Sequence, residues 1–372
     1  MRFRRSAPTG AAWVQGAALL LGAAAFPPLA AQAPIEMGPF PFREAFPLFM
    51  LPMVYQPVDP TPVGEGRWRV SLDTLRANTF EFSDVLKQQA PRDSQGRVAI
   101  TRDFIVARAA DYAWAPLIFY FDEETSRTAL RVRYGLTESV EAWGEFSFVS
   151  HGGGFLDRVI EGFHTLGFEQ YGRDLVQQNR MALVVMAHGE LVFYSDQGIR
   201  GKPQDPVLGV TARLASGGAW TVSAYASVKP PTTTMYDVFR SGWDHGAGIT
   251  ARWQPSPRHV LHGGAGFIRR PGGSDAYEHL AFGSMRDAWG AHLGWEWRPS
   301  ARWRPYLNLI AQSGFLPPQP GQKLDRGSLQ HDLGLHWQPS ARWALTFRYV
   351  NNVTHNENTA DMGLGAALTW SF

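Results

Sequence analysis

Polarity that reverses at every residue, segment after segment, constrains this chain more than any other feature. In 342–350, Trp343, Leu345, Phe347 and Tyr349 fall on one side of an extended chain, and Ala344, Thr346 and Arg348 on the other. Trp220, Val222, Ala224, Ala226 and Val228 oppose Thr221, Ser223, Tyr225 and Ser227 in the same way. Trp289, Ala291, Leu293, Trp295 and Trp297 oppose His292 and Glu296. A period of two belongs to strands with two unlike faces. Twelve such strands can be placed: 66–82, 117–135, 139–150, 206–216, 219–229, 243–254, 258–269, 285–298, 302–314, 326–338, 342–352 and 360–372. Their connections alternate in length without falling out of step. "TES", "SGG", "PSP", "PSA" and "PSA" are tight, whereas 83–116, 151–205, 230–242, 270–284, 315–325 and 353–359 are longer. Short turns on one rim and long loops on the other are the habit of a closed antiparallel transmembrane barrel. The expected fold is therefore all-β, with one barrel over 66–372.

The N-terminus agrees. "MRFRRSAPTGAAWVQGAALLLGAAAFPPLAAQA" has a basic start, an apolar stretch and small residues at its end, so 1–33 reads as a secretory signal peptide, cleaved within 30–33. Export and a barrel together point to the bacterial outer membrane. Residues 34–65 are dense in proline and follow neither period; they read as an irregular leader that either threads the barrel or hangs below it.

The phrase "WRPSARW" at 297–303 returns as "WQPSARW" at 337–343, with a looser "WQPSPRH" at 253–259. Each is a tight turn begun by proline. The indoles on either side then land where strands leave the lipid, because indole is apolar at one end and needs a partner for its N–H at the other. Trp253, Trp297, Trp303, Trp337, Trp343, Trp370 and Phe372 are the expected interface girdle. "MGLGAALTWSF" at the C-terminal end is similar to the last strand of outer-membrane barrels, so recognition by the barrel assembly machinery through Phe372 is expected.

The opposite strand faces would line the interior with Arg131, Arg133, Glu141, Glu145, Arg213, Arg252, Glu296, Arg304 and Arg348. Charges of both signs either hold a narrow water path or pair and fill the lumen. In the long loop 151–205, "FLDRVIEGFH" takes a helical period. Phe155, Val159 and Phe163 form an apolar row, with Leu156, Ile160 and Leu166 beside it, and Asp157, Glu161 and His164 fall on the opposite face. With His151 and Arg173 these make a candidate mouth cluster, either a binding or acid–base centre or the wetted side of an amphipathic helix.

Several classes are disfavoured. The formal charge of +2 and the lack of a dense basic run argue against nucleic acid as a partner. Cysteine is absent, so no thiolate metal site or Cys nucleophile exists. "HGGG" has no G-x-S-x-G to accompany it, and no Walker loop, dinucleotide fingerprint or H-E-x-x-H occurs, so no cofactor, metal or catalytic residue is assigned.

The stretch 127–174 is similar to an uncharacterised family of Gram-negative exported proteins, domain of unknown function 3187. The features that carry the likeness are Tyr134-Gly135-Leu136-Thr137, His151 to Asp157, Ile160-Glu161 with Phe163-His164, and Gly172-Arg173. "SDQGIRGKPQDPVLGVTARL" departs from the family's usual G-x-G-D. The resemblance implies an outer-membrane barrel and no substrate. The expected function is a narrow channel or transporter for small solutes, its mouth capped by loop 151–179, with outer-membrane lipid around it. The alternatives are a barrel enzyme acting on lipid or another surface substrate, and a closed structural barrel.

Overall fold

The computed structural model describes residues 35–372, apart from 42–43, 165–176, 236–238, 241, 272–282, 319–322 and 355–357. Twelve antiparallel strands close on themselves. They are β1 (Trp68–Phe82), β2 (Ile118–Gly135), β3 (Val140–Gly152), β7 (Val207–Gly217), β8 (Trp220–Lys229), β11 (Asp244–Ser256), β12 (His259–Arg269), β13 (Ala288–Trp297), β14 (Trp303–Gln312), β15 (Ser328–Trp337), β16 (Trp343–Asn352) and β17 (Met362–Ser371). Each pairs with the next, and β1 pairs with β17 from Arg69↔Ser371 to Asn78↔Met362, so no edge is left within the ring. The short strands β4 (Ala182–Ala187), β5 (Glu190–Ser195) and β6 (Ile199–Pro203) belong to the long loop, and β9 (Thr234–Met235) with β10 (Phe239–Arg240) form a small ladder in another.

Alternation does what the sequence implies. Outward positions hold Leu72, Leu130, Phe146, Ile249, Leu293, Leu333 and Phe347, all exposed; inward neighbours such as Asp73, Arg131, Glu145, Thr250, His292 and Asp332 are buried. Water would oppose such an apolar outer wall, whereas hydrocarbon accepts it. At the short-turn rim several of the expected girdle residues meet across strands, joined by Trp220, which was not among those expected there. Trp220 stacks on Trp253 at 5.1 Å, Trp303 on Trp337 at 5.8 Å, and Trp343 meets Trp337 edge-on at 5.8 Å. In each Pro-Ser turn the serine hydroxyl accepts from the backbone that follows: Ser300 from Trp303 at 3.1 Å, Ser340 from Arg342 at 3.2 Å. The repeated heptapeptide is thus a capped hairpin with an indole on each side.

The wall continues above the barrel at the long-loop end. The first half of β2 pairs with the top of β1 on one side and with β4 on the other, and β5 extends this sheet. Helices α1 (Asp84–Gln89) and α2 (Arg102–Arg108) lie in the 83–117 connection. Leu86 of α1 and Ile105 of α2 pack with Phe80, Phe82, Tyr120, Val184 and Met186 of this sheet. The expectation for 151–205 was one short helix; it also carries β4, β5 and β6.

Of the two courses left open for the proline-rich segment, the structure shows the first: it lies inside the barrel. Residues 35–63 enter at the short-turn rim, rise through the lumen, turn in a 3-10 helix at Pro47–Phe49 and descend to β1. Its side chains are buried along most of this course, from Ile35 and Met37 through Phe46–Leu51 to Val58 and Asp59. Proline has no N–H to donate to a ladder and fixes φ, so a chain with eight prolines between 34 and 62 cannot join the sheet. Its carbonyls are satisfied by wall side chains instead.

Candidate functional site

The lumen and its inserted hairpin form the site. Low in the barrel, Arg304 donates to the Ile35 carbonyl at 3.0 Å and Arg69 to that of Glu36 at 2.8 Å. The Glu36 carboxylate meets Arg298 at 2.6 Å and Arg252 at 3.2 Å. Higher up, Phe40 lies under the Arg348 guanidinium, 4.6 Å from its ring centroid, and stacks with Tyr306. Arg348 itself is fully buried between Asp332 at 2.6 Å and Asp73 at 3.2 Å. Near the turn, Glu44 accepts from the N–H groups of Ala45 and Phe46, and Arg127 donates to its carbonyl at 3.2 Å.

The turn itself is apolar. Phe46, Leu48, Phe49, Met50 and Leu51 pack against Phe119, Phe121, Phe315, Leu316 and Leu324 at the long-loop end. On the way down, the Met53 N–H donates to Asp244 at 2.7 Å, and the Tyr55 hydroxyl meets Nδ1 of His292 at 2.7 Å. Thr250 donates to the Val58 carbonyl at 2.7 Å. Asp59 takes Arg133 at 2.8 Å and Arg69 at 3.3 Å, and the Val63 N–H reaches Glu141 at 3.0 Å. The cavities beside the hairpin are small, about 20 Å³ next to Tyr55 and about 40 Å³ next to Phe40.

All nine interior charges read from the sequence point inward. Arg131, Arg133, Glu141, Glu145, Glu296, Arg304 and Arg348 are buried, and Arg213 and Arg252 are half-buried, Arg213 at the short-turn rim beside Ser139. Of the two interiors weighed, the paired and filled one is found. Arg133 joins Glu141 at 2.9 Å, Arg127 lies 4.0 Å from Glu145, and Arg131 lies over the Trp143 ring at 4.4 Å. Missed from sequence were Glu36, Asp59, Asp73, Asp332 and the pair Lys229–Asp244. Asp73 and Asp332 keep the inward parity of their strands and were findable from it; the hairpin's carboxylates carried no periodic signal.

The mouth cluster is taken apart by the structure. His151 faces inward, with Nδ1 at 2.6 Å from Glu123 and both side chains sealed from solvent. A Cβ on Gly153 would collide with the Asn179 carbonyl, and one on Gly154 would land on the Glu124 carboxylate. That carboxylate takes the Leu156 N–H and pairs with Arg76. Helix α3 (Leu156–His164) then turns Asp157, 2 % exposed, toward Asn78 at 2.8 Å and the Asn179 N–H at 2.6 Å. Glu161 takes both prongs of Arg97, at 2.7 and 3.1 Å. Asp93 helps hold Arg97 in place; hydrogen bonds from Gln177 and from the Arg97 backbone keep its carboxyl below the ordinary range.

The helix is therefore rotated from the expected orientation. Leu156, Asp157 and Ile160 are covered, while Phe155 and Val159 are exposed at 53 % and 44 %. The reason is local: the amide of Asn78 and the guanidinium of Arg97 offer the carboxylates better partners than water. Arg76, Asn78 and Glu124 share the outward parity of their strands, so α3 lies against the outer side of the rim instead of across the mouth. The His164 side chain and Arg173 fall outside the described residues. Of the other barrel histidines, His292 meets Tyr55, His336 meets Thr346 at 2.7 Å, and Trp295 donates to His259 at 3.2 Å.

A family described as "Protein of unknown function (DUF3187)" matches residues 98–372. No curated protein matches the sequence. Among solved structures, the chain is similar to the COG4313 outer membrane channel from Pseudomonas putida F1, with a TM-score of 0.51 at 10 % identity, over 86 % of this chain and 100 % of that one. Its match to the NanC porin has a TM-score of 0.40 at 8 % identity, over 81 % and 98 %. The first of these likenesses is one of barrel fold.

Proposed function

Because this chain belongs to the DUF3187 family of proteins of unknown function and wraps a barrel around its own N-terminal segment, we propose that it is an outer-membrane channel for small solutes, closed at rest by that segment. The observation that carries this reading is how the hairpin is held. It contributes no strand to the ring, and side-chain bonds and packing, not a ladder, hold it to the wall. Withdrawing it breaks no barrel hydrogen bond of the backbone. The path left behind would be narrow, as twelve strands allow, charged near the short turns and apolar near the long loops. The comparison with a protein described as an outer membrane channel supports the reading.

In this reading residues 1–33 direct export, the aromatic belt seats the barrel in outer-membrane lipid, and Phe372 is read by the assembly machinery. The test is planar-bilayer conductance of the refolded mature chain beside a variant lacking 35–62. We expect rare, small steps from the parent and frequent, larger ones from the variant. Silence from both, in samples that migrate as folded barrels, would leave a closed structural barrel.

A further inference from the structure

Outside the barrel, where β1, β2 and β3 reach the long-loop rim, a cleft of about 550 Å³ opens between Arg76, Ser126, Ser150 and Arg200, floored by Gly152 and Gly153. Its height is informative. Trp68, in the aromatic belt of the opposite rim, and Arg76 stand on the same strand, eight residues apart. At ~3.3 Å per residue and a tilt of ~40° that is a rise of ~20 Å, close to the top of an apolar band ~25 Å tall. The wall between them presents Leu72, Leu130, Phe146 and Phe148, all exposed. The cleft therefore sits where hydrocarbon gives way to headgroups.

Its chemistry suits an anion. Arg200 is exposed and makes no ion pair or hydrogen bond among the described residues. Arg76 pairs with Glu124 through Nε, and its side chain remains 38 % exposed. The two terminal nitrogens of its fork make no hydrogen bond among the described residues. Glu124 is already committed to Arg76 and to the Leu156 N–H, so two guanidinium groups face the cleft against one spent carboxylate. Forked guanidinium groups match phosphate oxygens in geometry and charge. Beside them stands Phe155, over whose ring Arg76 lies at 4.8 Å, and one helical turn on, α3 leaves Val159 exposed as well. A free anion has no use for that apolar shelf; a lipid does.

We propose that this cleft binds the phosphate of an outer-leaflet lipid headgroup between Arg76 and Arg200, with the acyl chains lying along Leu130, Phe146 and Phe148. The site rests on the outer-membrane placement argued above and is independent of whether the barrel conducts.

The experiment is native mass spectrometry of the full mature chain in neutral detergent, titrated with phosphatidylglycerol, diacylglycerol or inorganic phosphate. The variants are Arg200→Glu and Gly152→Trp, since a Cβ at Gly152 meets nothing within 4 Å and a large side chain there fills the cleft. Arg302→Glu, on the opposite rim, is the control. Phosphatidylglycerol should be retained by the parent and the control, and about tenfold more weakly by both variants; diacylglycerol should not be retained. Equal retention by Arg200→Glu and the parent would overturn the site. Displacement of the lipid by millimolar inorganic phosphate would overturn the lipid as its occupant and leave a free-anion site. Neither result touches the conductance measurement, so failure here and failure of the channel reading are separable.

Discussion

Asp59, on the descending leg of the hairpin, lies 2.8 Å from Arg133 of the barrel wall, and on its other side it fills the space where a side chain at Gly38 of the ascending leg would stand. Arg69 bridges the two legs, donating to Asp59 at 3.3 Å and to the Glu36 carbonyl at 2.8 Å. Gly38 adopts φ +57°, a conformation that favours glycine, so the close approach and the backbone demand coincide there. Asp59→Asn should loosen the hairpin by about 3 kcal/mol, the low end for a broken buried pair, because Arg133 keeps Glu141 at 2.9 Å. A higher open fraction in bilayer recordings, with faster cleavage at Glu36 and Glu44 by a glutamate-specific protease, is the expected result.

Gly290 offers the complementary test from the wall. It faces inward on β13, and any Cβ there would collide with the Cβ and ring of Tyr55. Gly290→Val leaves the strand's pairing intact and strengthens its β preference, yet denies the hairpin its seat. The barrel should fold, resist heat in detergent gels as the parent does, and expose residues 35–63 to chymotrypsin. Continued protection would mean that the hairpin has another resting place.

His151→Ala removes one half of a pair whose side chains are both closed to solvent, leaving Glu123 buried with Thr125 as its remaining hydrogen-bond donor at 2.8 Å. Leaving a buried polar group without its partner costs about 1–3 kcal/mol. The damage should be local: faster amide exchange over 118–125 and 177–187, with the short-turn half of the barrel unchanged. His151→Gln, which retains a donor, should recover part of the protection.

Trp337 touches both Trp303 and Trp343. Trp337→Ala removes two aromatic contacts worth about 0.5–1.5 kcal/mol each, so the barrel should lose about 1–3 kcal/mol in urea titrations performed in lipid vesicles. The loss should be smaller in detergent micelles, where no fixed interface rewards the belt.

The barrel was legible because its physics is local and periodic. Trp343 to Tyr349 reports one face and Thr346 with Arg348 the other, whatever the rest of the chain does; repeated over many strands, that pattern also fixed the two rims. The hairpin was opaque for the opposite reason. Its partners are up to 286 residues away, as with Glu44 and Gln330, and no spacing within 34–65 announces them. One signal was present: Phe46, Leu48, Phe49, Met50, Leu51, Met53 and Val54 are too apolar for a segment left in water. The orientation of α3 was misread because amphipathicity assumes that charged residues face solvent. Asp157 and Glu161 face Asn78 and Arg97 instead, side chains from strands and loops that a helical wheel cannot see.

The plug begins and ends at the same rim. Its descending leg runs into β1, and its ascending leg starts beside Arg304 and Arg298 of the same short-turn side. In the channel reading, such a hairpin leaves and returns through the short-turn rim while β1 stays in the wall. Once out, it stays leashed by residues 64–67 at a local concentration in the millimolar range, set by tether length alone. Closure is then a unimolecular event, independent of how many copies the membrane holds. In that reading, opening and resealing cycle on one molecule and unzip no strand of the barrel.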